Sequence, residues 1–370
     1  MSYLILNEFL IATDPLSISQ DEGYERGQIG HLLMQENDIS GADLVLVGCD
    51  EWRGEGSRYA AISSDLIRSQ LYKLYHWHKE IKIADAGTVK TGASLNDTYA
   101  ALKTVVGELA EAGKKVLVLG GSHDCTIALY QSFADKHQVI EATVIDSLID
   151  LDHYNPKNSR RFLLEMLTGT PNFVRHFNLI GFQSYFTFPD VLETIDKLRF
   201  DCFRVGRVQE KMEDVEPAIR SSHLISVDMN AVAHAFAPAH AISPNGFTGQ
   251  EICKLMQFAG MSETTRITGI FNFGDDASHL TPLQVAQMAW YFIDGMQKQK
   301  HEVELNDRSG FNEYHTLCAS VDTLFLQSKN TNRWWMQMPD KQFIACSFAD
   351  YMAASHNDLP ERWLRAQERM

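Results

Sequence analysis

The chain has no surplus of basic charge. Its 370 residues carry 33 lysines and arginines against 48 aspartates and glutamates, a formal net charge of −15. An acidic chain gains nothing by releasing counterions on a nucleic acid, which argues against DNA or RNA as a partner. No apolar run approaches the roughly 20 residues that a membrane span requires. The first ten residues lack a basic stretch and are soon followed by Asp14, Asp21 and Glu22, so no signal peptide is expected. Cysteines are few and scattered: Cys49, Cys125, Cys202, Cys253, Cys318 and Cys346 never fall in CxxC spacing. Reduced, buried thiols and a cytoplasmic location are the expectation. Internal repeats and low-complexity tracts are absent as well. With 45% hydrophobic and 22% charged residues the composition is that of a globular protein, and a chain of this length buries enough surface to fold without disulfide or metal staples.

What is present is a repeating beat of short apolar runs and amphipathic stretches. After a polar lead-in read as helical, Ala42 to Gly48 is a buried strand. Apolar spacing over Ser64–Tyr75 reads as a helix, and Ile81–Ala84 is a strand closed by Asp85-Ala-Gly87. Asn96–Ala112 is an amphipathic helix capped near Ser94 or Asn96 and stopped by Gly113. Strands follow at Lys115–Gly120, Glu141–Asp146, Phe177–Phe182, His223–Asp228 and Arg266–Phe273. Helices follow from about Asp124, and over Pro189–Leu198, Gly249–Ala259 and Pro282–Gln297. Strands alternating with helices predict an α/β fold in three layers, with a central, mostly parallel sheet covered on both faces. The beat stops near residue 300. Val321–Leu326 and Arg333–Met338, joined by a turn at Asn330–Asn332, read as a β-hairpin followed by a helix over Phe348–Ala354. The expected division is therefore 1–300 as the main α/β domain and 301–370 as an extension packed on it. Trp334, Trp335 and Trp363 of that extension are expected to serve core packing rather than a subunit interface.

In parallel α/β sheets ligands bind beyond the carboxyl ends of the strands. Four clusters follow Leu119, Ile145, Val227 and Phe271: Gly120-Gly-Ser-His123-Asp124, Asp146-Ser-Leu148-Ile-Asp150, Ser226-Val-Asp228-Met-Asn230, and Gly269-Ile270-Phe-Asn272. Alternate side chains of an extended segment share a face, so Asp146, Leu148 and Asp150 line one wall and Asp228 with Asn230 another. One imidazole and three carboxylates make a ligand set suited to a divalent ion such as Mn²⁺. Taken singly, each aspartate is more often a turn or helix-cap residue. The Gly-Gly turn lacks the Lys-Ser/Thr of a phosphate loop, and there is no GxGxxG. The ordered set is what carries weight.

That order, Gly-Gly-x-His, Asp-x-x-x-Asp, Ser-x-Asp-x-Asn and an Asn272 strand end, resembles the ureohydrolases: arginase, agmatinase and formimidoylglutamase. The resemblance spans roughly residues 42–298 and includes Gly48, Leu66-Ile67-Arg68, Asp85-Ala-Gly87 and the helix Gln284–Gly295. The segments Arg333-Trp-Trp and Glu361-Arg-Trp-Leu-Arg365 are similar to a bacterial branch often labelled formimidoylglutamase. The resemblance implies an arginase-like fold and a binuclear Mn²⁺ centre that hydrolyses a linear C–N amidine. By its pattern one ion is held by His123, Asp146, Asp150 and Asp228, all present. The second ion site has Leu148 where the family has histidine and Asn230 where it has aspartate. Leucine offers no lone pair and a neutral amide is a weaker ligand than a carboxylate. At most one Mn²⁺ is therefore expected.

Other positions depart from the family in the same direction. Ile270 stands where members carry an acidic residue before Asn272, Ala233-His234 replaces the expected Asp-Pro, and Leu163 falls where arginases place a histidine proton shuttle. Gly169-Thr-Pro171 is a short counterpart of a formimidoylglutamase segment. His153, His234 and His240 are candidates for a substitute ligand or base. The functional expectation is a catalytically weak or inactive pseudo-ureohydrolase. The alternative is a mononuclear hydrolase of linear amidines, N-formimidoylglutamate first among them. A small amidine or amino-acid-like ligand and self-association into a homo-oligomer are the expected partners.

Overall fold

The computed structural model describes residues 6–19, 23–56, 62–239, 242–318 and 321–368. Nine strands build the main sheet: β1 (Leu10–Ile11), β2 (Leu44–Cys49), β3 (Ile83–Val89), β4 (Lys115–Leu119), β5 (Ile140–Ile145), β6 (Val174–Phe182), β7 (Asp201–Arg204), β8 (Leu224–Asp228) and β9 (Ile267–Phe271). Their spatial order is β1-β3-β2-β4-β9-β8-β5-β6-β7. Every pairing is parallel except that of the edge strand β1 with β3. Strand alternation sorts the side chains into two cores. Leu44, Leu46, Leu117 and Leu119 face one layer, with the helices Asp65–Leu71, Gly249–Met261 and Leu280–Lys300. Val45, Val47, Val116 and Val118 face the other, with Leu95–Glu111 and Thr126–Ala134. The predicted three-layer α/β fold is the fold observed. Of the two caps considered for the Leu95–Glu111 helix, Ser94 is the one used, in a reciprocal capping box with Asp97.

Some elements differ from the sequence reading. Strand β3 does not close at Asp85 but runs on to Val89, because Asp85 enters the sheet as half of a buried ion pair. Arg68, fully buried, donates from Nε and Nη2 to the two Asp85 oxygens at 2.8 and 2.9 Å, and Tyr72 donates its hydroxyl at 2.7 Å. Gly87 sits inside the strand at φ +95°, where a Cβ would overlap the Ile11 carbonyl of β1. The lead-in is helical only in short pieces, Leu6–Phe9, Pro15–Ile18 and Ile29–Gln35, with β1 between the first two.

Beyond Lys300 the expected hairpin exists, with Phe325 opposite Met336, but it is the centre of a larger element. Strands β10 (Phe311–Cys318), β11 (Val321–Ser328), β12 (Trp334–Gln337) and β13 (Phe343–Cys346) form a four-stranded antiparallel sheet in that order. Trp334 stacks between Tyr314 and Tyr351, with ring centroids 5.1 and 5.0 Å away, and Trp363 joins the same core. Arg220, in the last turn of the helix Glu216–Ser221, reaches into this sheet. Its guanidinium lies 4.3 Å from the Trp335 ring centroid and donates to the Trp334 carbonyl at 2.8 Å. The tryptophans pack inside, as expected. Among the described residues no helix is long and apolar enough to cross a membrane.

Candidate metal centre

The sheet order reverses direction between β4 and β5, and β9 and β8 lie between them. Such a switch point opens a crevice at the carboxyl ends of the strands. Each of these four strands delivers a polar group into it. His123 follows β4 in the short turn His123–Cys125, Asp146 and Asp150 follow β5, Asp228 ends β8, and Asn272 follows β9.

His123, Asp146, Asp150 and Asp228 each offer one ligand atom, all within 4.8 Å of one another, and all four residues are buried. His123 Nδ1 lies 3.0 Å from Asp150 Oδ2, 3.2 Å from Asp228 Oδ2 and 3.4 Å from Asp146 Oδ2. The ring is fixed from behind: Nε2 meets Ser226 Oγ at 3.0 Å, and the face packs edge-on against Phe162. Backbone amides hold two of the three remaining carboxylate oxygens, Leu148 N donating to Asp146 Oδ1 at 3.1 Å and Asn230 N to Asp228 Oδ1 at 2.7 Å.

Three carboxylates this close repel one another, and burial removes the water that would screen them. Burial disfavours the charged form of the His123 ring, but the Asp228 charge, the hydrogen bond to Asp150 and the close approach of Asp146 outweigh it and raise its pKa well above the ordinary histidine range. Burial, then the neighbouring Asp150 charge, push Asp146 up to about 6. Burial also raises Asp150, against the opposing pull of His123 and Arg160. The cluster thus demands positive charge at its centre, from protons or from a cation.

The residues fit a divalent ion. Asp146 Oδ2 is buried and has no hydrogen-bond partner, an acceptor aimed into the cluster that a cation would satisfy. One imidazole and three carboxylates form the nitrogen–oxygen donor set that Mn²⁺ accepts.

Around this core stand residues that the sequence reading passed over. Glu55, in the turn Arg53–Glu55 beyond β2, is buried and accepts from Asn272 Nδ2 at 3.3 Å. The same Asn272 nitrogen donates to Asp228 Oδ2 at 2.6 Å. Lys157 Nζ pairs with Glu55 Oε2 at 3.1 Å, and Arg160 Nη1 lies 3.7 Å from Asp150 Oδ1. Glu55 had a signal, since it too follows a parallel strand. Lys157 and Arg160 had none, because they return to the crevice only through the long loop after β5.

The substituted positions border the same space. Leu148 and Asn230 are both buried. Ile270 is buried within the hydrophobic layer, as is Leu163 on the opposite face. The candidate substitutes stand apart: His153 is exposed, its ring against Tyr154, and His234 is exposed in the loop after β8. Neither belongs to the four-residue grouping, and among the described residues no other group of three or more ligating side chains exists. His240 lies outside the described residues. Gly169-Thr-Pro171 precedes β6, at the end of the sheet away from the crevice.

A parallel α/β/α sheet carrying an aspartate-rich cluster at its switch point defines a class of α/β proteins with a candidate metal site at the strand ends. Within that class, residues 35–270 match the Arginase family model, and the chain belongs to the arginase family. Trypanosoma cruzi formiminoglutamase, solved with Mn²⁺, superposes with a TM-score of 0.63 at 16% identity, over 73% of this chain and 98% of its own. Formimidoylglutamase from Bacillus subtilis gives 0.60 at 16% identity, over 70% and 92%. Agmatine ureohydrolase of Thermoplasma volcanium gives 0.59 at 19% identity, over 75% and 97%. No curated protein sequence matches the chain.

Proposed function

We propose that this arginase-family chain holds a single divalent ion, Mn²⁺ in the first instance, on His123, Asp146, Asp150 and Asp228, and that it turns over linear amidines weakly or not at all. The observation that carries the reading is the asymmetry of the crevice. On the His123 side four ligating groups converge with an unpartnered Asp146 oxygen. On the other side Leu148 presents no donor and Asn230 only a neutral amide, and Asn272 Nδ2 already donates at 2.6 Å to Asp228 Oδ2, the oxygen that faces His123.

A single bound ion can polarise an electrophile and lower the pKa of bound water. This chain's own residues supply the rest. Ser226 and Asp150 fix the His123 ring from both nitrogens, and the surrounding apolar layers keep bulk water from the cluster. What is missing is a second cation facing the first. If a second ion contributed about 4 kcal/mol to the transition state, its absence would cost about a thousandfold in rate. A one-ion hydrolase acting on N-formimidoylglutamate is the second reading, favoured by the intact four-ligand set and by the likeness to formiminoglutamases.

The test is metal stoichiometry by elemental mass spectrometry after Mn²⁺ loading and desalting, with Asp150→Ala as control, followed by urea and formamide release from arginine, agmatine and N-formimidoylglutamate. One ion per chain, lost in the control, with turnover absent or at least a thousandfold below a two-ion ureohydrolase, is the expected result. No ion overturns the site. Efficient turnover that Asp150→Ala abolishes overturns the weak-or-inactive reading in favour of the hydrolase.

A further inference from the structure

We propose that Arg160 is a built-in cation that sets the ion capacity of the crevice at one, so that the charge of this arginine, as well as the missing ligands at Leu148 and Asn230, excludes a second divalent ion. The inference rests on the one-ion reading above and deepens it.

The argument is one of charge. Four carboxylates act on Arg160, those of Asp150, Asp146, Asp228 and Glu55, with Lys157 as the second side-chain cation, while the neighbouring Asp124 is turned to the Tyr99 hydroxyl. With His123 neutral, as a ligand must be, a surplus of two negative charges remains, which one divalent ion neutralises. A second would leave two uncompensated positive charges in a site with little water. Removing the guanidinium restores part of that negative surplus.

The geometry separates charge from bonding. Arg160 Nη1 lies 3.7 Å from Asp150 Oδ1, too far for a hydrogen bond and close enough for strong Coulomb attraction. Its side chain is 27% exposed, so the guanidinium stands at the rim of the pocket rather than in its packing. Asp150, Asp146, Asp228 and Glu55 all act on it electrostatically. Lys157 is already matched by Glu55 at 3.1 Å, which leaves Arg160 as the cation facing the aspartates. The side chain therefore acts on the cluster through its charge, which Arg160→Gln removes and Arg160→Lys keeps.

The experiment compares full-length proteins stripped of metal and then loaded with Mn²⁺. Stoichiometry is read by elemental mass spectrometry, and affinity by loss of the free Mn²⁺ signal in electron paramagnetic resonance. Wild type and Leu148→His/Asn230→Asp are each expected to hold one ion. Adding Arg160→Gln to that pair is expected to raise the count to two, with the spectral splitting of coupled Mn²⁺ ions. Adding Arg160→Lys, which keeps the charge, is expected to leave it at one. Arg160→Gln alone should bind its single ion at least tenfold more tightly, a readout that does not depend on the multiple variants folding. Two ions in Leu148→His/Asn230→Asp with Arg160 in place overturn the inference, as does unchanged affinity in Arg160→Gln or a folded triple variant that still takes one. No ion in wild type or any variant overturns the one-ion reading itself, an outcome distinct from the others.

Discussion

Stripping divalent ions and raising the pH removes both things that hold the cluster's carboxylates together. In the metal-free protein the positive charge comes from protons, on His123 and in part on Asp146. The Asp146 carboxyl, burial and the Asp150 charge having pushed it up to about 6, has an unfolded reference of 3.8. His123 lies well above its reference of 6.5. Both groups bind protons more tightly folded than unfolded, so both contribute stability at low pH that is lost as pH rises through their folded values. For Asp146 the difference of about two pH units corresponds to about 3 kcal/mol. That stability is complete below pH 3.8 and gone above about 6 to 7. For His123 the contribution is complete below 6.5 and is lost at higher pH. The assay is the urea midpoint of EDTA-treated protein from pH 4.5 to 9, for wild type and for Asp146→Asn, which shares every other titrating group. Wild type should lose stability relative to the variant by about 2 kcal/mol between pH 4.5 and 7. Saturating Mn²⁺ should reverse the loss at high pH, because the ion binds the deprotonated ligands, and at a hundred times its dissociation constant it adds about 2.7 kcal/mol. A wild-type profile parallel to that of Asp146→Asn across this range would refute the reasoning.

Other outcomes follow from features elsewhere in the fold. Burial lowers Lys115 to about 7, its ammonium donating to the Ser262 and Gly260 carbonyls. The unfolded chain therefore holds a proton the fold lacks between about pH 7 and 10.5, and stability should rise by up to about 1.4 kcal/mol per pH unit there; Lys115→Met should flatten that slope in urea titrations. Arg68→Ala strands the buried Asp85 charge and should cost about 3–5 kcal/mol, whereas Arg68→Met with Asp85→Leu should recover most of it. Gly87→Ala, which drives a Cβ into the Ile11 carbonyl at a positive φ, should cost about 1–3 kcal/mol and release β1, seen as faster amide exchange at Leu10 and Ile11. Asp150→Ala should lose Mn²⁺ while its far-ultraviolet circular dichroism stays unchanged.

The parts of the molecule legible in the sequence are those where burial on both faces writes a continuous apolar run. Strands β2, β4, β5, β8 and β9 are of this kind, each fully or almost fully buried. The strand-end rule then pointed to His123, Asp146, Asp150 and Asp228, which the fold brings together. Strands β7 and β10 escaped notice for the opposite reason. β7 is a half-buried edge of four residues, and β10, after the buried Phe311, is exposed or half-buried from Asn312 to Leu317, so neither leaves an apolar run. Asp85 misled because a charged residue in a strand reads as its end unless its partner is known, and Arg68 is 17 residues away. Lys157 and Arg160 were out of reach altogether, since chain reversal and not local pattern decides that they face the crevice.

The sheet order has a consequence for assembly. Strands β1 to β4 form one contiguous block and β5 to β8 another, and β9, last of the nine in the chain, lies between β4 and β8. His123 belongs to the first block, and Asp146, Asp150 and Asp228 to the second. The cluster straddles a seam that only β9 closes, through Val116 opposite Ile267 on one side and Ile267 opposite Leu224 on the other. Half-formed sheets, however well ordered, do not present the four groups together. A cation therefore finds three of its four ligands until the keystone strand is home, and its binding would reward completion of the fold over any stage on the way.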